Sequence, residues 1–166
     1  MTENIEGKNV ILRPITAEDT DDVIRWRNSP AVMENFFVKT PLTREIHEQW
    51  LKEKVAAGFV EQFIIVLKDS GKAVGSQYFR DIDRSAGEAE FGIFIGEESA
   101  RGRGVGGEVI DLALAHAYKD MGLARVTLRL REENEAAMRL YLSRGFKKIP
   151  GGDGACFMEH KKEWVS

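Results

Sequence analysis

The sequence predicts a mixed α/β (α+β) domain on three observations. Strand-like apolar runs separated by polar turns fill the stretch before residue 95, a glycine-rich run opens an amphipathic helix, and that run sits in a strand–loop–helix–strand order. The expected sheet is mixed and mostly antiparallel, with helices flanking it. At 166 residues the chain suits one domain, 1–166, with enough apolar surface for an independent core. No repeat or low-complexity linker divides it.

Each element has a local reason. Residues 10–15 form an apolar strand. Thr16 caps a helix over 17–27, whose early Glu18, Asp19, Asp21 and Asp22 suit the positive end of the helix dipole while Arg25 and Arg27 suit the other. Pro30 stops it. A second helix runs over 44–57 behind the cap Thr43, with Ile46, Trp50 and Val55 near its apolar side and Gly58 at its end. Phe63-Ile64-Ile65-Val66-Leu67 is a strand, 68–72 a turn, and 73–79 its hairpin partner. A polar turn over 81–87 leads into a strand over 88–95, so three antiparallel strands precede the glycine run. The helix after it, 105–121, puts Val109, Leu112, Ala113 and Ala117 on one face and closes at Gly122. A strand over 125–130 completes a parallel βαβ unit. Asn134 caps the last helix, Gly145 ends it, and strands over 146–149 and 156–161 flank a loop over 150–154. That loop is a hairpin connection or a border of the acceptor site.

Composition excludes several classes. A net charge of −3 and a pI near 5.7 provide no basic footprint for nucleic acid. Cys156 is the only cysteine, so an internal disulfide is excluded and a cytoplasmic setting is favoured. No apolar run nears the roughly 20 residues of a membrane span, and the N-terminus lacks a basic signal-peptide start. His47, His116 and His160 have no ligand spacing, so no metal site is expected.

The run Arg101-Gly102-Arg103-Gly104-Val105-Gly106-Gly107 carries the chemistry. Glycine allows close backbone approach, and the bare N–H groups at a helix start stabilise an anion. A P-loop needs Lys and then Ser or Thr, but Glu108 and Val109 follow the last glycine. Gly102, Gly104 and Gly107 do satisfy G-x-G-x-x-G, with Glu132 at the end of the next strand. Against a dinucleotide fold, residues 97–101 separate the strand from the first glycine, and too little chain follows Gly107.

Arg101, Gly104 and Gly106 spell R-x-x-G-x-G after Glu90-Phe91-Gly92-Ile93-Phe94-Ile95. This resembles the acetyl-CoA signature of the GNAT N-acetyltransferase family. Asn134-Glu135-Ala136-Ala137-Met138-Arg139-Leu140-Tyr141-Leu142-Ser143-Arg144-Gly145-Phe146 is similar to the family's N-x-x-A-x-x-x-Y-x-x-x-G-F helix, and the likeness spans most of the chain. It implies a GNAT fold whose sheet splays at the cofactor site, with acetyl-CoA as cosubstrate and direct acetyl transfer to an amine. It further implies a phosphate cradle from Gly102, Gly104, Val105, Gly106 and Gly107, aided by Arg101 and Arg103. Asn134 is a cofactor-arm contact, an N-cap, or both. Backbone N–H near Phe94 or Ile95 polarises the acetyl carbonyl. Tyr141 is the candidate general acid, its phenol suited to a thiolate leaving group, or else an aromatic packed between helix and sheet.

Glu90 is the candidate base or water-holder, or a surface group, with Glu88 next. Strand alternation puts Glu88, Glu90 and Gly92 on one face, opposite Phe91 and Ile93. Ile24-Arg25-Trp26-Arg27-Asn28-Ser29-Pro30 resembles the W-R-N stretch of the ribosomal-protein and small-molecule branch, making Trp26, Arg27, Asn28 and Phe36 candidate acceptor neighbours. The expected partner is a primary amine: a small molecule such as a polyamine, amino-sugar nucleotide or aminoglycoside, or alternatively a protein N-terminus. A homodimer is compatible with this reading. A binding module that has lost transfer is the alternative from another class.

Overall fold

The computed structural model describes residues 3–152 and 154–165. Eight strands form one sheet: β1 (Ile5–Glu6), β2 (Val10–Pro14), β3 (Glu61–Leu67), β4 (Ala73–Asp83), β5 (Glu88–Ile95), β6 (Arg125–Arg131), β7 (Lys147–Ile149) and β8 (Ala155–Lys161), in the order β1-β2-β3-β4-β5-β6-β8-β7. Every neighbouring pair is antiparallel except β5 and β6. The helices are α1 (Thr20–Asn28), α2 (Pro30–Met33), α3 (Arg44–Trp50), α4 (Val105–Lys119) and α5 (Glu135–Ser143).

The caps at Thr16 and Thr43 form as the sequence predicts. Thr16 accepts from the Glu18 N–H at 3.3 Å while Asp19 accepts from the Thr16 N–H at 2.8 Å, a reciprocal capping box. Thr43 accepts from the Ile46 N–H at 3.2 Å. Pro30 both ends α1 and starts α2, because proline's fixed φ and missing N–H suit the first helical position. The helix expected over 44–57 keeps regular α geometry only to Trp50, and wider turns carry it through Leu51–Val55. Strand β1 was not expected, since two residues are too short for a periodicity signal. Asp153, in the expected loop 150–154, lies outside the described residues.

Strand alternation assigns two packed faces. Phe63 and Ile65 meet Val105 and Val109 of α4 on one face, while Ile64 and Phe94 meet Val23 and Trp26 of α1 on the other. Burying each such side chain contributes about 1.5–3 kcal/mol. The α4 face continues through Phe91, Ile110, Tyr141 and Phe146.

Parallel pairing of β5 with β6 stops at Glu90 opposite Thr127. Beyond it β5 stays with β4 up to Ile95, while β6 stays with β8 up to Arg131. The sheet therefore opens into a wedge beside residues 91–95, reachable from both faces.

Candidate active site

A cleft of about 860 Å³ occupies the wedge. Its α4 side is built from backbone. Gly102 and Gly104 take the left-handed conformation (φ 73° and 77°), and Gly104 sits at the N-cap of α4 without a side chain to close the helix. No atom lies within 4 Å of a Cβ built on either glycine. The N–H groups of Val105, Gly106 and Gly107 precede the first helical bond, from Glu108 N–H to the Gly104 carbonyl at 3.2 Å. They remain available to an anion, where the helix dipole assists them. A pyrophosphate fits this cradle.

Register also fixes which β5 amides face the wedge. The Gly96 N–H donates to the Val74 carbonyl at 2.7 Å, so antiparallel alternation directs the Phe94 N–H toward Ser76 and those of Ile93 and Ile95 toward the open edge. Arg101 corroborates the phase by donating to the Ile95 carbonyl at 2.8 and 3.2 Å. Its guanidinium thus ties the loop to β5. Arg103 turns away, pairing with Asp69 at 3.0 Å, and does not line the cleft.

Tyr141 reaches the wedge from the α5 side, packed edge-on against Phe91 and Phe146 at 6.0 and 5.5 Å between ring centroids. Burial, then the neighbouring Tyr78, raises its pKa and keeps the phenol protonated. Asn134 lines the same wall and caps α5, accepting from the Ala137 N–H at 3.2 Å.

Glu90 enters from the opposite face. Its carboxylate is held by Arg129 at 3.1 Å and Arg80 at 3.3 Å. Glu88 pairs with Arg125 outside the cleft. Tyr78, which the sequence did not single out, crosses β5 where Gly92 leaves room: a Cβ there would lie 2.3 Å from the Tyr78 ring. Burial raises the Tyr78 pKa, partly offset by Arg27. Tyr78 could have been found from the β4–β5 hairpin register, in which it faces Gly92, and Arg80 by extending that register past residue 79, where it faces Glu90. Arg129 carried no such signal.

The far wall comes from α1 to α3 and the loop between α2 and α3. Arg27 and Phe36 line it, with the guanidinium 3.9 Å from the Phe36 ring centroid. Arg27 Nε is buried without a hydrogen-bond partner, as is His47 Nε2 nearby. Burial lowers both pKa values, with Arg27 further opposing charge on His47. Arg27 as a whole is half-buried, and its cation–π contact with Phe36 returns only ~0.5–2 kcal/mol toward the cost of desolvating its charge.

Two expected acceptor neighbours do not line the cleft. Trp26 is 1% exposed, lies against Gly96 and donates from its indole to Glu97 at 2.6 Å, because a large aromatic with one polar edge fits the core beneath the β5 corner. Asn28 instead ties α1 to Leu42, donating at 2.9 Å to its carbonyl and accepting at 2.7 Å from its N–H. Both shape the wall from behind.

Among the described residues no group of three metal-ligating side chains occurs, and no helix is long and apolar enough to cross a membrane.

A split sheet with a bare helix N-terminus on one side of the wedge and tyrosine and glutamate across it defines an acetyl-coenzyme A-dependent N-acetyltransferase domain. The chain belongs to the acetyltransferase (GNAT) domain family, whose model matches residues 9–147. An uncharacterized protein of Methanocaldococcus jannaschii is 28% identical over 163 residues, 96% of this chain but 31% of that protein, so the chain spans under a third of that relative's length. The spermidine N(1)-acetyltransferase of Escherichia coli K12 is 29% identical over 138 residues, covering 83% of this chain and 73% of that enzyme. The crystal structure of Vibrio cholerae spermidine N-acetyltransferase with CoA and spermine superposes with a TM-score of 0.86 at 18% identity, over 95% of this chain and 98% of that one.

Proposed function

We propose that this domain transfers acetyl from acetyl-CoA to a primary amine of a small molecule by direct attack, without an acylated side chain. The observation that carries this reading is the wedge itself, which joins the α4 N-terminus, Tyr141 and Glu90 in one cleft. The named E. coli relative, which acts on a small amine, supports the acceptor class.

Acetyl-coenzyme A supplies the acyl group as a thioester. The N–H groups of Val105, Gly106 and Gly107 and the cradle of Gly102 and Gly104 would bind its pyrophosphate. The N–H of Ile95, or of Ile93, would donate to the carbonyl oxygen as negative charge develops there, an effect strongest in a preorganised, water-poor site. Tyr141 holds a proton for the departing thiolate, and its raised pKa keeps that proton in place across the neutral range. An alkylammonium near pKa 10.4 must lose a proton before it attacks. Glu90 takes that proton directly or through water.

Phe37, Val38 and Ile46 line the cleft and are 41%, 65% and 47% exposed. This apolar rim favours a second reading, acetylation of a protein N-terminus, in which an extended peptide would lie across it.

Coenzyme A release should be measured over polyamines, amino-sugar nucleotides, aminoglycosides and N-terminal peptides, with product masses. Acetylation of a small amine is expected. Exclusive acetylation of peptides would replace this reading with the second one, and bound acetyl-coenzyme A with no transfer at all would leave a binding module.

A further inference from the structure

Among the described residues lining the cleft, the charged side chains are Arg27, Arg80, Arg101, Arg129 and Glu90. Three of the arginines are satisfied: Arg80 and Arg129 share Glu90, and Arg101 donates to the Ile95 carbonyl. Arg27 is not. Its Nε is buried and unpartnered, and the groups around it are the Phe36 ring, the Tyr78 phenol and His47. Asp19, the acid near His47, is already held bidentately by Arg13 at 2.8 and 3.1 Å.

We infer that Arg27 receives an anionic group of the acceptor, so that the substrate is a primary amine bearing a carboxylate or phosphate rather than a polycation. This rests on the transfer reading above and narrows its acceptor. A guanidinium seated over an aromatic ring keeps its N–H donors for the paired oxygens of such a group. Phe36 seats it at 3.9 Å from the ring centroid, and the α1 backbone fixes its origin. The desolvation that lowers the Arg27 pKa is offset by the opposite charge when an anion binds, so the preference has a source in this chain. A polyamine would bring further positive charge into a cleft whose single lining carboxylate among the described residues, Glu90, is already shared by two arginines.

The test compares three-carbon amines with different far ends: propylamine, 3-aminopropionate, 3-aminopropylphosphonate and 1,3-diaminopropane. The wild-type enzyme should favour the two anionic amines over propylamine by roughly tenfold or more in kcat/KM, equivalent to ~1.4 kcal/mol, and should disfavour the diamine. Whether carboxylate or phosphonate leads identifies the oxygen group. In Arg27→Met the anionic-to-neutral ratio should fall toward one through KM, while Arg27→Lys should keep it above one. A wild-type preference for the diamine, or a ratio unchanged in Arg27→Met, overturns the inference. Calorimetric titration of 3-aminopropionate and 3-aminopropylphosphonate into the coenzyme A complex separates the two levels. Arg27-dependent binding without turnover, together with no transfer over the wider amine panel, keeps the anion site and removes the transfer reading. Acetylation of other amines with no Arg27-dependent binding of either anion removes the anion site alone.

Discussion

The two halves of the cleft are made of different material. On the α4 side the ligand would meet main-chain N–H groups of residues 105–107 and the β5 edge, placed by two left-handed glycines and a strand register. On the α1 side it would meet side chains of Arg27, Phe36, His47 and Tyr78, drawn from α1, the α2–α3 loop, α3 and β4. Backbone cradles depend on local conformation, and conformation leaves a compact signature in glycine spacing. Side-chain walls depend on tertiary packing and can be refitted one residue at a time. On the proposed reading the first half would hold the cosubstrate and the second would select the acceptor.

Substitutions should separate the halves. Tyr141→Phe removes the proposed proton donor but keeps the ring contacts with Phe91 and Phe146, so kcat should fall about 100-fold or more with acetyl-coenzyme A affinity retained by calorimetry. Unchanged turnover would return Tyr141 to a packing role. Gly104→Asp should abolish cosubstrate binding, whereas Gly104→Asn, which tolerates the same left-handed φ, should weaken it far less. Equal losses would show that strain, and not charge against pyrophosphate, decides the site.

Smaller effects probe the supports. Trp26→Phe deletes the hydrogen bond to Glu97 beneath the β5 corner and should destabilise the fold by about 1.5–3 kcal/mol in urea denaturation. In that variant Glu97, whose pKa is lowered first by Trp26 and then by Arg25, should titrate closer to an ordinary glutamate by NMR.

His116 tests a pH dependence away from the cleft. Burial opposes its charge, but Glu61 and Asp120, the latter at 2.8 Å, together raise its pKa. A raised histidine pKa contributes stability that is fully present below the unfolded value near 6.5 and is lost as pH rises through the folded value. Wild-type stability should therefore decline across that window more than that of His116→Gln. Parallel pH profiles would contradict the assignment.

The order of elements, the three helix caps and the conformation of the glycine loop were legible because each rests on contacts within a few residues: Thr16 with Glu18, Thr43 with Ile46, Asn134 with Ala137, Gly104 with the first turn of α4. Glu90 was placed on the correct strand face by alternation alone. Of its two guanidinium partners, Arg80 lay within reach of the hairpin register, but Arg129 was not visible, since it belongs to a strand brought alongside only by the α4 crossover. Trp26 and Asn28 lie in the right stretch but on its inward and loop-facing sides. A motif marks the segment; helix phase and packing decide which of its residues reaches the cleft.

A single-turnover experiment tests direct transfer within the wedge. The protein is mixed with acetyl-coenzyme A, its intact mass is followed, and an accepted amine is then added. The account predicts an unchanged protein mass until the amine arrives, then coenzyme A and N-acetyl amine in equal amounts. Accumulation of an acylated protein before the amine is added would contradict it.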